Sequence, residues 1–523
     1  MNRSAFAFAI ALMSSTTVFA AEKTDWQNYF VKSYAENVAI ETAGSKNTLK
    51  LAQTIAARMK AAGFPEKDLE VIDTGDGKGI IFARLHGAAT SEAEKLPPIV
   101  FMAHSDTVPV KLEDWKIKNE KGELITLDPF KLTKIDGKAY EISEETDSSG
   151  NKKEATKELG EGVGAKYFGR GVNDDKGMLT MIETSFTRLA AEGYKGKRDY
   201  IMIFAPDEET GDATRQGIGY VFDKRPELIK GAELLINEGG TGKIKYGKTL
   251  NLEAQVAEKV GVTYILKATG VSRHSSQPGP ADTNPIYTLA QAFVNVSKLE
   301  FPIMLTPVTK NYFEKIEPNE APEMQASIQA LLAGKTDKAE LATLLADTYY
   351  NGQVRNTCVA TMSEPGIAQN VVPGSATGKV NCRVLPGTPV DDVTAALTKA
   401  IDNPAVTITM ASKPVFSDPS PVDPILFEIA AKIVKKNFGE NVPFMASMSN
   451  GATDMIDFRN EGYLSYGINF FPLGERISNM HGNNEWVGAE DMNRANETLY
   501  EFMAELANTK LSGVKQPEHK EQL

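Results

Sequence analysis

Three short apolar runs in this chain each end in a histidine or an acidic residue, and this feature constrains the fold more than any other. Short apolar and β-branched runs predict buried strands, and residues 178–189 have helical spacing between two of them. Strands that alternate with helices predict an α/β fold with a mostly parallel central sheet flanked by helices. The runs and the residues that follow them are 99–103 before His104, 200–205 before Pro206-Asp207-Glu208-Glu209, and 234–237 before Glu238.

The middle of the chain has a different pattern, which predicts an inserted domain. Strands and helices follow one another from 258 to 413 in an order that predicts an α+β lid or dimerisation domain. Residues 318–350 are helical in pattern and are expected to extend the insert, and the charged residues 141–161 are expected to form a surface excursion. The predicted divisions are a signal peptide at 1–20, a catalytic domain at 21–257 and 414–523, and the insert at 258–413.

The first twenty residues predict a cleavable signal peptide and export to the periplasm or the outside. Arg3 precedes an apolar run at 5–13, and small residues at 18–20 favour cleavage after Ala20. An uncleaved membrane anchor is the alternative, but this run is shorter than the about 20 residues that span a bilayer. No membrane association is therefore expected for the mature chain.

The composition bears on partners and on the thiol chemistry. A net charge of −12 argues against a nucleic-acid partner, because phosphate binding needs a basic surface. Cys358 and Cys382 lie on what are predicted to be neighbouring strands. They are compatible with either a disulfide or two free thiols.

The polar residues at the strand ends have both a structural and a functional interpretation. His104 and Asp106 share one side of the chain, so the carboxylate can orient the imidazole, as it also would in an ordinary structural pair. Asp174 precedes a helix and could simply cap it, and the acids at 207–209 could lie in a solvated loop. A further apolar run, 463–470, leads through a short loop to His481.

Taken together, these residues favour a metal site. The carboxyl ends of strands in an α/β sheet meet at the edge where ligands bind. Two imidazoles with several carboxylates, and no thiolate, suit two zinc-like ions about 3.5–4 Å apart that share a water. Glu208 stands beside a candidate ligand and is predicted to accept the proton of that water.

The motifs also resemble a known family, the co-catalytic zinc amidohydrolases that include aminoacylase, glutamate carboxypeptidase, succinyl-diaminopimelate desuccinylase and related dipeptidases. The resemblance covers essentially all of the mature chain, and the long 106–174 interval and the helices at 318–350 resemble the larger carboxypeptidase-like branch. The motifs are His104-Ser105-Asp106, Gly169-Arg170-Gly171 through Asp174-Asp175-Lys176-Gly177, Asp207-Glu208-Glu209, Glu238, Gly270 through His274-Ser275-Ser276-Gln277-Pro278, Asn370-Val371-Val372-Pro373, Arg383, Gly451-Ala452-Thr453-Asp454, and His481 before Asn484-Glu485.

The resemblance implies a role for each matching residue and two divalent metal ions, zinc or alternatively cobalt or manganese. One ion is expected on His104 and Glu238, the other on Glu209 and His481, with Asp174 bridging them. Asp106 is expected to support His104, Glu208 to act as general base and then acid, and His274 to stabilise the oxyanion. The residues expected to bind substrate are Asn370, Arg383, Gly451 and Thr453.

The implied function is hydrolysis of an amide bond in small peptides or N-acyl amino acids, in the manner of a carboxypeptidase or aminoacylase. Glutamate at position 238 resembles the aminoacylase and carboxypeptidase members. A dipeptidase or aminopeptidase, including a single-metal one, and an inactive binding protein on the same fold are the alternatives. A homodimer is possible, since the insert is a lid or dimerisation domain in the family.

Overall fold

The computed structural model describes residues 24–518, apart from 148, 149, 161, 212 and 365. The predicted signal peptide at 1–20 lies outside the described residues. The helices are α1 (Trp26–Val38), α2 (Thr48–Ala61), α3 (Lys176–Ala191), α4 (Ile218–Lys224), α5 (Pro285–Val296), α6 (Pro307–Ile316), α7 (Pro322–Leu332), α8 (Ala342–Ala346), α9 (Thr348–Val354), α10 (Val390–Ile401), α11 (Pro424–Phe438), α12 (Met455–Asn460), α13 (Glu475–Asn479) and α14 (Ala489–Leu506).

In the described residues, the strands form one large sheet and four smaller ones. They are β1 (Leu69–Gly75), β2 (Lys78–Leu85), β3 (Leu96–His104), β4 (Lys116–Asn119), β5 (Leu124–Thr126), β6 (Thr133–Ile135), β7 (Ala139–Thr146), β8 (Lys152–Glu158), β9 (Lys166–Phe168), β10 (Arg198–Ala205), β11 (Leu234–Asn237), β12 (Gly242–Lys245), β13 (Lys248–Glu258), β14 (Val260–Thr269), β15 (Arg273–His274), β16 (Thr357–Glu364), β17 (Val371–Val372), β18 (Ser375–Val384), β19 (Val406–Met410), β20 (Phe444–Ser449), β21 (Ser465–Gly467), β22 (Pro472–Leu473) and β23 (Trp486–Gly488).

The large sheet is mixed, with a parallel centre. Its order is β1-β2-β10-β3-β11-β21-β13-β12-β22, and β20 pairs with β13. The four central strands β10, β3, β11 and β21 run parallel to one another, whereas β1 and β2 at one side and β13 beyond β21 pair antiparallel with their neighbours. The carboxyl ends of the central strands therefore meet at one edge.

Helices cover both faces of this sheet, which explains why its central strands are apolar throughout. In β3, Phe101 belongs to the core beneath α1, α2, α3 and α14, while Met102 belongs to the core beneath α4 and α12. Successive side chains of a strand point to opposite faces, so a strand covered on both sides needs apolar residues at every position. The result confirms the α/β fold with a helix-flanked central sheet.

The insert has its own sheet and core. Its sheet has the order β16-β18-β14-β19, and the side chains of β14 and β18 pack with those of α5 and α10. Cys358 and Cys382 are directly paired on β16 and β18 and are joined by a disulfide.

The helices at 307–354 pack elsewhere than expected. Residues 318–350 are largely helical, as the sequence predicts, but α6 to α9 pack on Leu250 of β13 and Met445 of β20, which belong to the large sheet. These helices thus pack on the large sheet and not on the sheet of the insert, because an amphipathic pattern shows that a helix buries one face but not which partner covers it.

The charged segment at 141–161 is more regular than expected. Strands β7 and β8 pair as an antiparallel hairpin in a sheet of order β5-β4-β7-β8, and most of their residues are exposed. It is therefore on the surface, as expected, but as a hairpin that extends an existing small sheet. In the part of the chain that the structure describes, no helix is both long and apolar enough to cross a membrane.

Candidate metal centre

The carboxyl ends of three neighbouring strands bring the predicted ligands together. His104 is the last residue of β3 and pairs with Ala205, the last residue of β10, so the acidic loop at 206–209 begins beside it. Glu238 directly follows β11, the neighbour of β3 on its other side. The topology of the parallel centre therefore brings His104 close to acids that follow it in sequence by more than a hundred positions.

Asp174 lies between the two histidines. Its Oδ1 is 2.8 Å from Nε2 of His104, and its Oδ2 is 2.8 Å from Nε2 of His481. The same nitrogen of His104 is 3.8 Å from Glu238, and the same nitrogen of His481 is 3.1 Å from Glu209. One carboxylate thus faces two imidazoles, and each imidazole faces a second carboxylate.

The charges in this cluster shift the pKa of its members strongly. Burial lowers the pKa of His104, but Glu238, Asp106 and Asp174 outweigh that effect and raise it well above its ordinary value. Hydrogen bonds with Asp174 and Glu209 raise the pKa of His481 to about 10. The carboxylates of the cluster therefore favour a positive charge on the two imidazoles that they surround.

The donor set fits divalent metal ions. Donor atoms of His104, Asp174 and Glu209 lie within 4.8 Å of one another, and so do those of His104, Asp175 and Glu238. In the described part of the chain, Oε1 of Glu209 and Oδ2 of Asp175 are buried without a hydrogen-bond partner. Imidazole nitrogens with carboxylate oxygens are the ligands that zinc-like ions accept, and these two oxygens remain available to them.

Asp106 is held in place behind His104. Nδ1 of His104 is 3.1 Å from the backbone carbonyl of Asp106 and 3.5 Å from its carboxylate. The carboxylate accepts hydrogen bonds from Ser45 Oγ and from the backbone N–H of Glu209. Contacts of this kind fix the ring orientation of a metal-binding histidine, so Asp106 links the ends of β3 and β10.

The three consecutive acids after β10 have different environments. Asp207 is buried and forms an ion pair of 2.8 Å with Lys78, which offsets its charge. Burial raises the pKa of Glu208 well above its ordinary value, and Asp454, Asp174 and Glu209 add to the rise while His104 opposes it. Within the described residues, Glu208 thus interacts electrostatically with the cluster but forms no hydrogen bond to either histidine.

One predicted substrate residue, Arg383, interacts electrostatically with Glu208, and two others lie in the turn that precedes Asp454. Burial lowers the pKa of Arg383 on β18, and the negative charge of Glu208 acts in the opposite direction, so the insert places a guanidinium near the acid. Thr453 donates a hydrogen bond of 3.0 Å to Glu258, and the neighbouring Asp454 acts on Glu208. Gly451 begins the same turn, and its N–H donates to Ser449 Oγ.

His274 and Asn370 lie together, but away from the cluster contacts. His274 on β15 pairs with Val371 on β17, and the backbone carbonyl of Asn370 accepts from Ser275. The His274 side chain is exposed and its Nδ1 is 2.8 Å from Ser276 Oγ. Within the described residues, neither side chain has a recorded bond to the cluster.

Two contributions were missed by the sequence reasoning. The sequence predicts no role for Asp175, yet it forms one of the two candidate donor groups with His104 and Glu238. Glu485 is part of a motif without a predicted role, yet it accepts hydrogen bonds from the backbone that carries Asp174. The acidic pair at 174–175 was a signal for the first, whereas nothing in the sequence indicated the contacts of the second.

The chain is similar to known proteins over most of its length. A family model described as Peptidase family M20/M25/M40 matches residues 148–505, which include all the predicted metal ligands except His104. The N-fatty-acyl-amino acid synthase/hydrolase PM20D1 of Mus musculus is 25% identical over 419 residues, 78% of this chain and 74% of that protein. The probable carboxypeptidase S-like 2 of Dictyostelium discoideum is 27% identical over 266 residues, 49% of this chain and 48% of that protein.

A solved structure has the same fold. The di-peptidase Dug1p of Saccharomyces cerevisiae superposes with a TM-score of 0.61 at 17% identity, over 92% of this chain and 96% of that one.

Proposed function

The chain belongs to peptidase family M20/M25/M40, and on that premise we propose that it hydrolyses the amide bond of N-acyl amino acids or small peptides with two divalent ions. Membership makes it a metal-dependent hydrolase of C–N bonds. The observation that carries the proposal is Asp174, whose two carboxylate oxygens each lie 2.8 Å from a different imidazole. A carboxylate in that position can bridge two ions.

These contacts support the proposed set of ligands. His104 and Glu238 would hold one ion, His481 and Glu209 the other, and Asp174 both. Asp175, grouped with His104 and Glu238, is a further candidate donor on the first side. Two bound cations would acidify a shared water and polarise the substrate carbonyl.

The chain's own groups would move the protons. Glu208 would accept the proton of the attacking water and then deliver it to the leaving amine, which is the work of a general base and acid. A carboxyl whose pKa is raised is suited to hold that proton between the two steps. His274, on the insert, would reach across to donate a hydrogen bond to the oxyanion of the substrate.

An N-acyl amino acid with a free carboxylate is the substrate class that we favour. Arg383, near Glu208, can form two parallel hydrogen bonds with a carboxylate, and the turn from Gly451 to Thr453 and Asn370 would complete its surroundings. The similar mouse protein is named for N-fatty-acyl-amino acids and the similar Dictyostelium protein for a carboxypeptidase.

Replacement of the proposed general base tests the mechanism. Glu208→Gln keeps the size of the side chain but cannot accept the proton, so kcat should fall roughly 10²–10⁴-fold. Metal content, measured by elemental analysis, should stay at the wild-type value. Glu66→Gln, at an exposed Glu paired with Lys60, is the control and should keep full activity. Wild-type turnover in Glu208→Gln would refute the role.

A substrate panel tests the reaction class. N-acyl amino acids, dipeptides with a free amine, and dipeptides with a blocked carboxylate are compared with zinc, cobalt and manganese. Activity that requires a free carboxylate and tolerates a blocked amine supports the proposal, whereas activity only with a free amine indicates an aminopeptidase. Binding without turnover under every metal would indicate a binding protein.

We further propose export with cleavage after Ala20, and a homodimer formed through the insert. The first rests on the apolar run at 5–13 with small residues at 18–20. N-terminal sequencing of the secreted or periplasmic protein tests it, since a chain that starts at Met1 would contradict cleavage. Sedimentation of the purified chain measures the second.

A further inference from the structure

Glu485 is a buried carboxylate that holds the loop of Asp174. Its Oε1 accepts hydrogen bonds from the backbone N–H groups of Asn173 and Asp174, at 2.8 and 3.1 Å. Its Oε2 accepts from the N–H of Gly171 at 2.9 Å. Three amides of one loop are therefore fixed by a single side chain from the segment that follows His481.

Arg170 joins the same carboxylate to the loop of His481. One arm of its guanidinium donates to Oε2 of Glu485 at 2.6 Å, and the other donates to the backbone carbonyl of Gly482 at 2.7 Å. Gly482 directly follows His481. The pair thus ties together two loops that are more than three hundred residues apart in sequence, and each loop carries one of the residues that meet at 2.8 Å.

The chain segment between β3 and α3 contacts Arg170 and the loop of His481. The indole of Trp115 is 5.5 Å from the guanidinium carbon of Arg170. The backbone N–H of Arg170 donates to the carbonyl of Pro129, and Asn484 donates to the carbonyl of Lys116. The long interval between Asp106 and Asp174 therefore supplies contacts to both loops.

Stability alone is a weak explanation for such a pair. Taking two charges out of water offsets most of their attraction, so a buried ion pair adds little stability over apolar residues of similar volume. The side chains of Arg170 and Glu485 are 2% and 0% exposed, so this penalty applies in full. What the pair does provide is geometry, since its bonds have fixed directions on both sides.

We propose that Arg170 and Glu485 are positioning residues that hold Asp174 and His481 at the distance needed to bind one ion together. This inference rests on the proposed two-metal function. Arg170 acts on His481 through Gly482, while Glu485 acts on Asp174 through the backbone amides. Loss of the two Arg170 hydrogen bonds should therefore weaken binding of the ion at His481 and Glu209 more than binding of the ion at His104 and Glu238.

Arg170→Lys tests the proposal with zinc as the probe. Lysine keeps the charge but cannot reach Glu485 and Gly482 with a rigid fork. Metal-depleted protein is titrated with zinc against a coloured chelator, which gives an affinity for each ion, and the cobalt spectrum reports the ligand geometry. Removal of a residue that orients a metal ligand typically weakens binding 10–100-fold, and we expect roughly that loss for one ion only.

Arg58→Lys is the matched control. Arg58 forms a comparable buried pair with Glu183 between α2 and α3, at 2.7 Å. This variant should lower the melting temperature while both zinc affinities keep their wild-type values. If Arg170→Lys does not fold, Glu485→Gln is titrated in the same way, with Glu183→Gln as its control.

The outcomes separate this inference from the proposed function. A wild-type chain that binds no zinc overturns the two-metal proposal itself. A wild-type chain that binds two ions, with Arg170→Lys binding both equally well, overturns only the positioning role. The positioning role would also be overturned if Arg170→Lys and Arg58→Lys lowered the affinity for both ions to the same extent. A general loss of stability would then explain the effect.

Discussion

Two buried charged clusters lie on the large sheet, and they balance their charge in different ways. The metal centre has many more acids than bases. The second cluster lies on β12 and β13 beneath α6 to α9 and has both signs in similar number. The metal centre comprises Asp106, Asp174, Asp175, Glu208, Glu209, Glu238, His104 and His481, and the second cluster comprises Lys243, Lys245, Glu253, Glu320 and Asp347.

The second cluster satisfies its charges internally. Lys245 lies 3.2 Å from Glu320 and 3.3 Å from Asp347. Lys243 donates to Tyr312 Oη at 2.7 Å and lies 3.6 Å from the centre of the Tyr349 ring. Ion pairs, a hydrogen bond and aromatic rings thus surround both amino groups with partners from the chain itself.

The comparison separates a structural cluster from a functional one. Like charges held together in a buried region repel one another, and the chain keeps them ionised only with a compensating cation. Lys245, which pairs with Glu320 and Asp347, supplies that cation in the second cluster. At the metal centre the two histidines are too few for the carboxylates, and the metal ions of the proposed function would supply the remaining positive charge.

Asp174→Asn should have the largest effect, because it removes the carboxylate shared by both proposed ions. Metal ions contribute several kcal/mol to the transition state, so kcat/KM should fall on the order of 10³-fold or more. Asp347→Asn makes the same change in the second cluster and should leave both metal content and kcat/KM unchanged. Similar losses of activity in the two variants would contradict the distinction.

Removal of metal should have the next largest effect, on the free energy of unfolding. Ions that bind only the folded chain stabilise it by about 2.7 kcal/mol at a free concentration 100 times Kd. Denaturant unfolding with and without a chelator should show this difference in the wild type and in Asp347→Asn. This difference should be absent from Asp174→Asn. A difference as large as that of the wild type in Asp174→Asn would show that the ions bind elsewhere.

The strand ends of the metal centre were predictable because their signals are local. An apolar run followed by His104 or Glu238 indicates both a covered strand and a polar residue at its carboxyl end. The large sheet then brings these ends together through its parallel centre. The residue roles themselves remain predictions.

The second cluster could not be predicted, because its contacts join distant segments. Lys243 lies next to an apolar residue on a short strand, and this local pattern does not predict its contacts with Tyr312 and Tyr349. The predicted strand at 463–470 is likewise shorter in the structure, Ser465–Gly467, and Phe470 in the segment after it has a positive φ of 58°. The backbone of a loop depends on what it packs against, and that information is absent from a local pattern.

Lys243→Met should have the smallest effect, a change in how stability depends on pH. Burial lowers the pKa of Lys243 to about 7; Lys245 acts in the same direction, and Glu253, Asp347 and Glu320 oppose both. Between pH 7 and the ordinary value of 10.5, the unfolded chain holds a proton that the folded chain lacks. The free energy of unfolding of the wild type should therefore rise with pH in this window, by at most about 1.4 kcal/mol per pH unit from this group.

The matched variant for this measurement is Lys245→Met. Its carboxylate neighbours outweigh the effect of burial and raise the pKa of Lys245 above its ordinary value, so its proton is lost only at higher pH in the folded chain. Denaturant unfolding at pH 7, 8 and 9 should show the wild-type slope in Lys245→Met and a smaller slope in Lys243→Met. Zinc affinity should be unchanged in both variants, because neither lysine touches the metal centre. Equal slopes of the free energy of unfolding against pH in the two variants would contradict the prediction, since they would mean that Lys243 stays protonated in the folded chain.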